Sequence, residues 1–298
     1  GKSLLYSTDQ GLVWQNANTR VLLNGKTNNR INANILQDTQ VKVGDVVSFA
    51  GDKIARSIGC LIDKQAIDIG ILQNTRVLAS GMFNLQGTNT YMLCIAYKQD
   101  TSNELVLKCL VCNKTTDAVQ STYVITDNTN VTDNTHISIC KYESGKLTVL
   151  IAEKHTSQML LRTYVLQSAT LDKELIIGCR DYIQVIGRYD QVTGMYIIVS
   201  YHEESSSFDV QLVSNILELG STEQIQGPLV SGNCKMNLLI VPGGNCIVSF
   251  GFVKQIFLVS MYNGLITAGT PYLDYQSVDC ADMIYDNDAG YILTLEHS

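Results

Sequence analysis

Apolar residues along this chain arrive in runs of four to eight, rich in Val, Ile, Leu, Tyr and Cys. Gly, Asn, Asp and Ser fill the gaps between them. No stretch keeps a 3.6-residue period, so the pattern predicts strands joined by turns. One strand recurs most clearly, at residues 45–51, 91–97, 147–153, 196–202, 246–252 and 291–297. Taking Ser48, Cys94, Leu150, Ser200, Ser249 and Thr294 as markers, the steps are 46, 56, 50, 49 and 45 residues. A glycine turn precedes it, with Gly44, Gly145, Gly194, Gly244 and Gly290 in matching places. Three of these turns begin with a tyrosine and an acid, at Tyr142-Glu143, Tyr189-Asp190 and Tyr285-Asp286. A further strand follows at 54–59, 105–110, 159–164, 208–213 and 256–261.

Short strands at a period near 50 predict a β-propeller, whose blades are four-stranded sheets. Five sets lie inside the chain, and the sixth has its first two strands at residues 277–298. Its other two strands are expected at 3–6 and 11–16, with 7–10 as their hairpin. The expected fold is therefore all-β. It is a six-bladed propeller of four-stranded antiparallel blades, with residues 1–298 as one domain. Its last blade is shared between 1–17 and 277–298. Such a closure hides the sheet edges that an open array exposes.

Composition narrows the partners. Apolar residues make up 45% of the chain and charged ones only 16%, against about 25% charged in most globular chains. Asn, Thr, Ser and Gln replace the charge, which suits neutral polar outer faces of the kind found on secreted or virion-surface β proteins. A net charge of −7 without a Lys/Arg run argues against a nucleic-acid partner. No apolar stretch approaches the ~18–20 residues of a membrane span, so no membrane insertion is expected.

The nine cysteines, at 60, 94, 109, 112, 140, 179, 234, 246 and 280, lie mostly inside strand-like runs. Cys109-Leu-Val-Cys112 lacks the second pair a tetrahedral metal site needs, and on a strand its two thiols point to opposite faces. These cysteines read as buried thiols of a chain assembled in a reducing cytoplasm. His202-Glu203-Glu204 reads as a solvated turn. Asp286-Asn287-Asp288-Ala289-Gly290 is an acidic turn, since its glycine comes one place early for a calcium loop. No metal and no cofactor is expected, because no dinucleotide fingerprint, phosphate loop or G-x-S-x-G occurs.

The run Ser7-Thr8-Asp9-Gln10-Gly11-Leu12-Val13-Trp14 resembles the Asp box, S-x-D-x-G-x-T-W, of sialidases and other six-bladed propellers. Val13 stands where threonine is usual, and Trp14 is the single tryptophan of the chain. The resemblance makes Ser7, Asp9, Gly11 and Trp14 a structural staple in the hairpin between the third and fourth strands of a blade. Residues 30–33 and 47–51 are similar to the R-I-P-A … F-A-E-G opening of the same family, with Asn32 in place of proline. By that likeness Arg30 would bind a ligand carboxylate through two parallel bonds. Arg180 and Tyr201 join it as ligand-binding candidates.

The family's catalytic set is incomplete. Of seven arginines, at 20, 30, 56, 76, 162, 180 and 188, none lies in the last 110 residues, where the family draws its third arginine. Asp52 is the only stand-in for the acid, and Asp181 falls near the place of the glutamate. The expectation is a non-catalytic sialidase-like propeller, a glycan- or protein-binding or structural module of a phage tail, virion or cell surface. Its partners would be a receptor or neighbouring subunits of an assembly. The alternative is a glycoside hydrolase using Asp52, Asp181 and Asp279 or Asp282 on the central face.

Overall fold

The structure, a computed structural model, describes residues 75–98, 102–116, 118–229, 236–241, 243–250, 255–262 and 264–269. Beyond these it describes the backbone of nine further strands. Described residues form strands and turns with no helix. The chain divides into two compact units, residues 1–66 and 67–298.

The first unit holds β1 (Ser3–Tyr6), β2 (Val13–Asn16), β3 (Val21–Asn24), β4 (Arg30–Ile35), β5 (Val47–Ala50) and β6 (Lys53–Arg56). β1 and β2 form the antiparallel pair expected of residues 3–6 and 11–16, with Leu5 opposite Trp14. The other four strands form one sheet in the order β3-β4-β6-β5. This departs from the antiparallel pairing expected throughout each blade. β6 lies between β4 and β5 and pairs with β4 in parallel, Asn34 opposite Lys53. Eleven residues separate β4 from β5 in sequence, but only Gly51 and Asp52 separate β5 from β6. A two-residue connection fixes an antiparallel partner far more tightly than a long one.

The second unit carries four four-stranded antiparallel blades. Blade A comprises β7 (Val77–Leu85), β8 (Thr90–Lys98), β9 (Glu104–Asn113) and β10 (Val119–Asn130). Blade B comprises β11 (Thr135–Glu143), β12 (Lys146–Glu153), β13 (Gln158–Val165) and β14 (Thr170–Gly178). Blade C comprises β15 (Gln184–Asp190), β16 (Met195–His202), β17 (Ser207–Ser214) and β18 (Leu219–Gln226). Blade D comprises β19 (Met236–Val241), β20 (Asn245–Phe250), β21 (Gln255–Tyr262) and β22 (Leu265–Ala268), with β23 (Tyr272–Leu273) also pairing to β21. β24 (Asp279–Asp286) and β25 (Tyr291–His297) form a final antiparallel pair.

Strands within each blade follow chain order, and the first strands pack against one another in sequence, β7 on β11, β11 on β15, β15 on β19 and β19 on β24. That is the propeller arrangement. The core lies between blades. Leu105, Leu107, Val149 and Ile151 fill the A–B gap, and Leu150, Leu161, Tyr196 and Ile198 fill the B–C gap. In the C–D gap, Phe208, Phe250 and Phe257 meet at ring separations of 5.0 to 5.9 Å. A second strand such as β16 is thus covered on both faces and buried along nearly all its length, whereas the outermost strands β14 and β18 are largely exposed.

Candidate functional site

The first strands of blades A to D border an open cavity of about 440 Å³. Side chains alternate along a strand, so Gln184, Ile186 and Arg188 of β15 face it together, opposite Ser80 of β7 and His136 of β11. Arg76 and Asp133, just before β7 and β11, border it too and pair with each other while remaining exposed. His136 Nε2 lies 3.1 Å from the Ile183 carbonyl and donates to it. Burial holds this ring below the usual histidine range, against the pull of that hydrogen bond. It is therefore neutral at pH 7. Arg188, half-buried, has no hydrogen-bond or ion-pair partner among the described residues.

A second group of polar residues gathers where the loop after β14 meets the hairpin of β16 and β17. Arg180 grips Asp209 with two bonds, Nη2 to Oδ1 at 2.5 Å and Nε to Oδ2 at 3.2 Å. His202 lies under the same carboxylate, Nε2 3.1 Å from Asp209 Oδ2, while its Nδ1 is 2.5 Å from the Asp181 carbonyl. Burial alone would raise the Asp209 carboxyl, but the bonds and charges of His202 and Arg180 outweigh it and hold the group below its ordinary value. The cluster ties the loop to blade C as a staple.

The residues named from sequence fall in different places. Arg180 serves in that staple. The Asp181 side chain is exposed, with Oδ1 3.6 Å from His155 Nδ1. Tyr201 is buried in the C–D core, its ring 5.3 Å from Phe250 and its hydroxyl donating to the Pro228 carbonyl at 2.7 Å. This leaves it no ligand-facing surface. Arg180, Asp181 and Tyr201 are neighbours around one turn but do not converge on a common pocket. Arg30 and Trp14 lie on β4 and β2, where the backbone alone is described, and Asp52, Ser7, Asp9 and Gly11 fall outside the described residues.

The sequence singled out neither Arg188 nor Asp209 as a site, and it read His202 as part of a solvated turn, whereas the structure buries that ring between Asp209 and the Asp181 carbonyl. The alternation of Gln184, Ile186 and Arg188 on an inner strand was the available signal for Arg188. Nothing local announces that Asp209 meets an arginine 29 positions earlier. Among the described residues no group of histidine, cysteine, aspartate and glutamate could hold a metal ion. Six cysteines are described, all free thiols and all but Cys179 buried.

No family model matches the chain, and no curated protein matches it in sequence. Among solved structures it is similar to the Dos1 propeller, at 12% identity over 95% of this chain and 72% of that one, with a TM-score of 0.46. It is also similar to a glucose dehydrogenase, at 11% identity over 100% and 92% of the two chains and a TM-score of 0.46. The propeller domain of the trilobed protease from Pyrococcus furiosus matches at 9% identity over 70% and 60%, with a TM-score of 0.38. No function passes from these proteins to this chain.

Proposed function

We propose that the chain is a non-catalytic binding propeller, displayed on a virion or cell surface, that takes a glycan or protein receptor at the face where the inner-strand cavity opens. In this reading the ring has six blades, and β1–β2 complete the sheet begun by β24–β25. Those two hairpins each supply the half of a blade that the other lacks. The observation that carries the binding reading is the lining of the cavity, where amides, hydroxyls and apolar side chains surround Arg188, a cation with no ion-pair partner among the described residues. Around 300–1,000 Å³ with a few placed polar groups is the usual form of a ligand site. Among the described residues the one acid that lines the cavity, Asp133, is paired with Arg76.

The test is a glycan array run beside a hydrolysis assay on sialosides and arabinans. The proposal expects hits on the array and no turnover. Turnover that disappears in Asp52→Asn or Asp181→Asn would instead establish a glycoside hydrolase.

A further inference from the structure

We propose that Arg188 makes the inner-strand cavity a receptor for an oxyanion, a carboxylate or phosphate carried by a small polar molecule. This rests on the binding reading above and names the chemistry that reading leaves open. A guanidinium half-removed from water without a counter-ion is costly to a fold, and none of the described groups nearby relieves it. Arg76 adds positive charge at the rim, and Asp133 is engaged by Arg76 in an exposed pair. His136 is neutral, its ring held down by burial. Cys140, a buried thiol that feels the charge of Arg188, is pushed up to about 12 by burial despite the opposing effect of that arginine. It therefore carries no negative charge at neutral pH.

Among the described residues the cavity thus presents Arg188 as its one unpaired positive charge, and low-dielectric surroundings strengthen its field. Its planar fork matches the two oxygens of a carboxylate or phosphate. Gln184 and Ser80 line the same space with neutral donors and acceptors suited to hydroxyl groups.

The experiment titrates the full chain with D-glucuronate, inorganic phosphate and D-glucose by calorimetry or saturation-transfer NMR. It compares the wild type with Arg188→Gln and Arg188→Lys, each checked for folding by circular dichroism. Glucuronate or phosphate should bind at least roughly tenfold tighter than glucose, and Arg188→Gln should lose roughly tenfold or more of that affinity. Whichever anion binds tighter identifies the carboxylate or the phosphate as the source. Should Arg188→Gln fail to fold, Arg188→Lys decides, since it keeps the charge but loses the fork and should weaken carboxylate binding several-fold.

Anion binding unchanged in the folded Arg188 variants overturns the proposal. Glucose bound as tightly as glucuronate overturns the oxyanion assignment but leaves the binding propeller standing. No binding of any probe, together with an empty glycan array, removes both.

Discussion

At the residue scale, the charged side chains of blades A to C mostly hold blades and loops together. Asp127 of β10 shows this best, because it reaches from blade A to blade B. Arg162 Nη1 donates to its Oδ1 at 2.8 Å and the Tyr164 hydroxyl to its Oδ2 at 2.8 Å. Glu174 holds the other side of the guanidinium at 2.6 Å. Burial pushes the Asp127 carboxyl up, but hydrogen bonds from Thr129 and Tyr164 and the charge of Arg162 prevail and set it below 3.8. A lowered folded value stabilises the protein above the unfolded value and ceases to do so as pH falls through the folded one. Asp127→Asn should therefore lose roughly 1–3 kcal/mol at pH 7, and the deficit against wild type should shrink below about pH 4. Denaturant unfolding at pH 7 and pH 3 checks this; an equal deficit at both values counts against it. None of this was legible in the sequence, since the partners lie 35 and 37 positions apart and ordinary surface acids look the same.

At the element scale, much more could be read. The strand that recurs most clearly is the second of each described blade, and the structure gives the reason. It is covered by neighbouring blades on both faces, so it must be a continuous apolar run. Outer strands such as β18, exposed along most of their length, carry no such constraint and left no repeat. The glycine turns were legible for a backbone reason. Gly145, Gly194 and Gly244 have φ of +78°, +71° and +73°, a region that L side chains avoid.

These turns differ in surroundings, which gives a graded prediction. A Cβ at Gly145 meets nothing within 4 Å, whereas at Gly244 it would stand 2.9 Å from the Met261 carbonyl oxygen. Gly145→Ala should cost about 1 kcal/mol from backbone strain alone, and Gly244→Ala clearly more. Thermal melts of the two variants test the order, and equal losses would refute the steric part. In the first repeat the apolar runs match those of the later blades, but the long β4–β5 connection leaves their pairing free, and β6 pairs with β4 in parallel.

At the scale of the whole molecule, the repeat pattern announced a propeller, and blades A to D are four of its blades. The candidate site was less legible. A cavity between inner strands depends on which alternate residues turn inward, and Arg188 became notable only because no described residue pairs with it.

The closed six-bladed ring is the claim on which the binding face depends, and Trp14 offers a direct probe of it. As the single tryptophan, placed on β2, it reports the N-terminal hairpin alone, while far-UV circular dichroism reports all the strands. The decisive measurement is a denaturant titration followed by both signals on the same sample. If the terminal hairpins share one blade, the two curves coincide in midpoint and slope as a single cooperative transition. If Trp14 unfolds at a separate, lower denaturant concentration while the strand signal persists, the N-terminal hairpin is not part of a closed ring.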